Sequence, residues 1–259
     1  MPRTTKKQRT KYRIQKTKRH QRGGAARIPD WETTPGYAQS LVFTLRPGER
    51  ITAVRDSLIY KAEGIDVSTG RSLGNQSKSI FRKVTSAISS RFSEADLFYN
   101  NYTNKGTGSQ RIAFSSHFPG TIRAVPIPAN SSYYLYEDCL LCMTDTVQTS
   151  AQFKADIASG DFLTIRYSTR EEPGMIWIYS AGNILELPMR EGQRYRINDK
   201  LLLAVSDAVS VKRIPEFEIL TGEGRLSVAV AKRDTVAYIQ THPKVLKEIV
   251  NKKDALNRA

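Results

Sequence analysis

The chain has 259 residues, of which 39% are hydrophobic and 25% charged, with a net charge of +15 and two cysteines. That length allows a sizeable core in one or two domains, and a mean hydropathy of −0.44 suits a soluble globular body with a polar appendage. No run reaches the ~18 apolar residues of a membrane span, no apolar h-region marks a secretory signal, and two cysteines are too few for a disulfide framework, so an intracellular, reducing compartment is expected.

The charge is concentrated at one end. Residues 1–27 hold eleven Lys or Arg and no acid, which leaves 29 basic and 25 acidic residues for everything that follows. Within this stretch only Tyr12 and Ile14 are sizeable apolar groups. Such a composition cannot offset the entropy of ordering, so the sequence predicts a disordered basic arm with Gly23-Gly24 as its joint. Clustered cations that neutralise phosphates release condensed counterions and bind polyanions with little sequence preference. The predicted nucleic-acid contacts are Lys6, Lys7, Arg9, Lys11, Arg13, Lys16, Lys18, Arg19 and Arg22. A nuclear address, contact with an anionic membrane surface and a solvated tail are the alternatives. A mitochondrial presequence needs an apolar helical face that the arm lacks.

Residues 28–39 read as an extended linker whose Trp31 packs onto the body. From Leu41 strand signals follow one another, with Pro47-Gly48 suited to a turn that places Gly at positive φ. Residues 68–92 read as an insertion, with Ile80, Val84, Ala87 and Ile88 at the spacing of a short amphipathic helix. Three hairpins are expected: one around Gly106-Thr107-Gly108, one around Pro173-Gly174, and one joining residues 224–230 to 235–240. Residues 243–259 carry Val245, Leu246, Ile249 and Val250 on one side of a predicted C-terminal helix.

One pattern recurs. Leu45–Val67 overlays Ile127–Thr149 and Met189–Val211 without a gap. Leu58-Ile59, Leu140-Leu141 and Leu202-Leu203 fill the middle of each copy, and Gly48, Asn130 and Gly192 fall near the same corner. Gly120 aligns with Gly182 upstream of the second and third copies. Internal repetition dictates architecture, and the fold class expected is all-β: three repeated sandwich-like units over residues 40–242 about a pseudo-threefold.

Catalytic chemistry is sparse. His20, His117 and His242 share no metal-ligand spacing, and no phosphate loop or nucleophile elbow is present. A serine–histidine pairing at Ser116-His117 is disfavoured, because neighbours in a turn seldom aim at each other. Cys139 and Cys142 spell C-x-x-C, but three residues apart on a strand they point to opposite faces, so they read as buried structural thiols. Glu63, Asp145 and Asp207 occupy matching positions; a cation-binding ring is the sharper reading and turn chemistry the favoured one. No catalytic residue, metal ligand or cofactor is assigned.

The order LRPGERI, SLIYKAEGIDVSTG, SEADLFYNNYTNKG, RIAFSSHFPGTIRAVPI and GMIWIYSAGNILEL resembles the altered-inheritance-of-mitochondria (number twenty-four) family, over roughly Ser40 to Gln240. The best marks are Phe118-Pro119-Gly120 before Ile122, and Glu94 shortly before Leu97-Phe98. The resemblance implies a fold like that of the tryptophan RNA-binding attenuation protein, with three β-sandwich units per chain, no catalytic residues, and, for mitochondrial members, a link to inner-membrane organisation. Two departures stand out: Gly70 and Gly74 precede a Ser- and Lys-rich insertion where the family is glycine-rich, and the basic arm is not a family feature.

The reading reached from sequence is a non-enzymatic β scaffold that forms a homo-oligomer or larger assembly, with a basic arm that engages nucleic acid. The first rival is a viral coat or virion protein whose arm gathers genome. The second is a mitochondrial inner-membrane organising protein whose arm touches anionic lipid. Virion or nucleus ranks ahead of mitochondrion as the location.

Overall fold

The computed structural model describes residues 28–70, 99–116, 118–136, 139–153, 163–198, 201–214 and 226–242. The basic arm, the helix expected around Ile80–Ile88, His117 and the predicted C-terminal helix lie outside the described residues. The described chain is all-β, with nineteen strands and only antiparallel pairing between them.

After β1 (Asp30–Thr33) the strands run β2 (Ser40–Leu45), β3 (Arg50–Val54), β4 (Leu58–Lys61), β5 (Ile65–Gly70), β6 (Tyr99–Asn104) and β7 (Gln110–Ser115). Within this run β7 lies between β2 and β4, and β6 pairs with both β3 and β5. Alternation explains the two layers. Leu41, Phe43 and Leu45 of β2 and Ile112 and Phe114 of β7 turn inward, against Ile51 and Ala53 of β3 and Tyr102 of β6. Edge-on contacts of Phe114 with Phe43 and Tyr102, at centroid separations of 6.1 and 5.1 Å, fill the space between layers.

The same pairing scheme appears in the next six strands, β8 (Ile122–Ile127), β9 (Ser132–Tyr136), β10 (Leu140–Met143), β11 (Gln148–Phe153), β12 (Leu163–Ser168) and β13 (Gly174–Tyr179). It appears again in β14 (Ile184–Met189), β15 (Arg194–Asn198), β16 (Leu202–Ser206), β17 (Val209–Ile214), β18 (Leu226–Ala231) and β19 (Thr235–Gln240). A register shift marks the same place in each run, at Leu58/Tyr60, Leu140/Cys142 and Leu202/Ala204.

The corner between the first two strands of each run is built alike. Gly48, Asn130 and Gly192 all have positive φ (80°, 55° and 75°), a conformation that Gly adopts freely and Asn tolerates. Each then sends its N–H to a carbonyl at or just after the end of a later strand: to Asn104 O, Arg170 O and Ala231 O, at 2.8, 2.7 and 2.9 Å.

The expected hairpins are not formed. β6 and β7 are consecutive but lie in different sheets, as do β12 and β13, and β18 and β19. Each intervening turn carries the chain from one layer to the other. In the first, buried Asn104 fastens the turn, donating to Leu45 O and Gly108 O and accepting from Gly106 N. Alternation specifies which face of a strand is buried but not which strand it pairs with, so a cross-layer corner and a hairpin look alike in sequence.

Two further boundaries move. Part of the segment read as a linker is β1, an edge strand paired with β2. Ser68, Thr69 and Gly70, read as the start of an insertion, complete β5 opposite Asn101, Asn100 and Tyr99.

Candidate assembly interface

The runs are joined edge to edge. β3 pairs with β10, Ala53 opposite Cys142 and Thr52 opposite Met143, giving the six-stranded sheet β5-β6-β3-β10-β13-β8. β9 pairs with β16, with Leu135 opposite Ala204, Tyr134 opposite Val205 and Tyr133 opposite Ser206, giving β11-β12-β9-β16-β19-β14. The ungapped overlay of the repeats carries Ala53 onto Leu135 and Cys142 onto Ala204, so both junctions have one register.

Each junction also plugs a core. Leu141, 1% exposed, enters the cluster built by the first run, and Leu203, 0% exposed, enters the cluster built by the second. Cys142 lies in the first cluster and Cys139 in the second, with the register shift of β10 between them. Burial raises the Cys142 thiol well above its ordinary range, which suppresses the thiolate needed for redox or metal chemistry.

A seam runs beside the junctions. Ala38, Gly120 and Gly182 form consecutive parallel bridges. Gln39 donates to Gly120 O and Thr121 to Gly182 O, both at 3.0 Å. The backbones approach so closely that a Cβ on Gly120 would overlap the Ser180 carbonyl. The seam stops at Asn183, whose N–H goes to Thr241 Oγ1.

Among the described residues, β4 pairs only with β7 and β15 only with β18, although their counterparts β10 and β16, and β3 and β9, each have two partners. Along β4 all four residues are exposed, whereas β10 and β16 are buried throughout. Exposed apolar edges of this kind template further pairing.

The other residues singled out from sequence do not gather. Glu63, Asp145 and Asp207 each sit in a turn, Asp207 held by Arg233 at 2.7 Å, and among the described residues no three acidic, His or Cys groups are placed to hold a metal. His242 lies after β19 and is exposed. The nine arm cations lie outside the described residues. Among those residues no helix is long and apolar enough to cross a membrane, which says nothing of β-barrels. The half-paired edges were missed in sequence, although the aligned pairs Leu58-Ile59, Leu140-Leu141 and Leu202-Leu203 carried the signal.

Residues 32–242 match the profile of the family described as Mitochondrial biogenesis AIM24. The chain belongs to that family. Its AIM24 region thus runs from within β1 to the last described residue. A crystal structure of a Streptococcus pyogenes protein has the same fold, with a TM-score of 0.62 at 16% identity, over 87% of this chain and 98% of that one. No curated protein matches the chain.

Proposed function

We propose that this AIM24-family chain is a non-enzymatic β scaffold whose basic arm binds nucleic acid through phosphate contacts. The observation that carries the arm's role is the charge division: eleven cations without an acid in residues 1–27, against a nearly balanced remainder. The scaffold role is supported by sheets that continue from one run of strands to the next and, among the described residues, finish on unpaired edges. Lys6, Lys7, Arg9, Lys11, Arg13, Lys16, Lys18, Arg19 and Arg22 neutralise phosphates and set the salt dependence.

The test is a salt titration of DNA and RNA binding by the natural chain and by a variant with those nine residues changed to Gln. Nine phosphate contacts on duplex DNA give a slope of log affinity against log salt of about −8. The variant is expected to lose binding at every salt concentration. Equal binding by both chains removes nucleic acid as the arm's partner. The second reading is then favoured by the family's description, Mitochondrial biogenesis AIM24: a membrane-organising role with the arm on anionic lipid. Vesicles containing cardiolipin test that role directly.

A further inference from the structure

We infer that the outward face of the sheet β15-β18-β17 is a second nucleic-acid contact, seating backbone phosphates on the body itself. The inference rests on the nucleic-acid reading of the arm and extends it to the body. Its starting point is charge: β15, β17 and β18 together hold four basic residues and no acid.

Alternation decides which of these cations meet solvent. Tyr195 and Ile197 of β15, Val209 and Val211 of β17, and Ala229 and Ala231 of β18 turn toward the core of the third run. Arg194, Arg196, Ser210, Lys212 and Val230 therefore face outward, and both arginines and the lysine are exposed. Arg194 and Arg196 are two residues apart on one strand, roughly 7 Å. Arg196 and Lys212 are both paired to Val228, one on either side, which sets them two strand spacings apart, about 10 Å. Backbone pairing along both edges of β18 holds this triangle in place.

The other two runs supply an internal comparison. In the overlay Arg194 corresponds to Arg50 and Ser132, and Arg196 to Thr52 and Tyr134. One residue past its end, Lys212 corresponds to Ser68 and Ser150. In the first run Arg50 shares its row with Asp66, both opposite Thr103; the third run has Ser210 in place of that acid. The strand pairing is common to all three runs, so the fold itself does not call for three cations here. Elsewhere on the body Arg46, Arg111, Arg123 and Arg233 each meet a carboxylate. Among the described residues Arg194, Arg196 and Lys212 meet none. Cations gathered without an acid raise the potential over one face and attract a polyanion.

Backbone phosphate is the occupant that fits. Stacking of bases needs an aromatic platform, and among the described residues no aromatic side chain shares this face. A face that lies on a membrane buries large apolar groups beside its cations. The exposed ones, Tyr37, Leu58, Ile59, Tyr60, Val67 and Leu185, all lie off these strands. Duplex DNA carries one charge per roughly 1.7 Å of its axis, so three fixed cations meet phosphates on any sequence. Three contacts alone are too few to hold nucleic acid. The face engages once the arm has brought the duplex near.

The test compares the full natural chain with a variant carrying Arg194→Gln, Arg196→Gln and Lys212→Gln, on one duplex DNA across a salt series. Nine arm contacts and three on the body give a slope of log affinity against log salt of about −11. The three-residue variant is expected near −8, with binding about tenfold or more weaker at low salt. Arg194→Lys, Arg196→Lys and Lys212→Arg together preserve the charge and keep the natural slope. Arg50→Gln, at the corresponding place in the first run, leaves the slope unchanged. Thermal unfolding of the Gln variant is expected at the natural chain's temperature or above, since the three cations hold no described partner. A slope that the three Gln substitutions do not move overturns the inference. So does a Gln variant that binds DNA normally and instead loses binding to vesicles containing cardiolipin, which makes the face a lipid contact. Failure of the arm's role reads differently: the nine-residue Gln variant then binds like the natural chain, while the three-residue variant still lowers the slope.

Discussion

Trp31 and Trp177 meet edge to face, with ring centroids 5.8 Å apart and planes inclined at 79°. Trp177 is fully buried and also meets Phe43 edge-on at 4.8 Å. Trp31 thereby fastens β1, the one strand outside the three runs, across the core of the first run. Arg111 with Glu32 and Arg46 with Asp30 add exposed ion pairs, at 3.0 and 3.6 Å, each worth at most about 1 kcal/mol. The ring is therefore the stronger anchor.

Trp31→Ala is expected to cost about 2 kcal/mol, below the usual range for a fully buried Trp because Trp31 is half-buried. Urea unfolding measures the loss. A proteolysis assay should show β1 cut first. Unchanged stability would mean that β1 contributes nothing to the core.

Gly120→Ala is expected to be far more damaging than its size implies. The new methyl overlaps the Ser180 carbonyl, a backbone atom that cannot move without disturbing the seam. A loss of about 3 kcal/mol or more is expected. Gly108→Ala is the control: nothing lies within 4 Å of its Cβ, and thermal unfolding should show it neutral or slightly stabilised.

Both thiols should resist labelling in the folded protein. Cys139 and Cys142 are buried and free, and Cys142 is held neutral by desolvation. A chromogenic disulfide reagent at mildly alkaline pH should react with neither thiol until denaturant is added. Rapid reaction of one thiol under native conditions would overturn the structural role assigned to it.

Alkali should destabilise the fold. Burial raises the phenols of Tyr102, Tyr133 and Tyr238 above 10.0, with Asp207 adding to the effect at Tyr133, and Tyr133 and Glu186 at Tyr238. Burial likewise raises Cys142 above 9.0. These groups ionise more readily in the unfolded chain. Their contribution is thus complete below about pH 9 and is lost as pH rises through 10 and beyond. Unfolding free energies between pH 8 and about 11 measure the decline. A flat profile would place these side chains in water.

Much of this was legible in the residues. Period-two alternation in Leu41, Phe43 and Leu45 announces a strand with one buried face, and Gly48, Asn130 and Gly192 announce corners, because the left-handed conformation restricts the choice of residue. These features are local: the information sits within a few bonds of the residue concerned.

Strand partnership is different. Nothing within Tyr99–Ser115 distinguishes a hairpin from a corner between layers, since both turn the chain back and both leave one face of each strand buried. Ile59 and Leu141 are near-equivalents in sequence, and Leu141 is sealed because it enters the core of the run before it, whereas the run that holds Ile59 is the first. Composition and local spacing determine that this chain makes β-strands, where it turns, and that its cations gather in residues 1–27. Which edges meet is decided only by the tertiary structure, because an edge is satisfied by backbone groups that every residue carries.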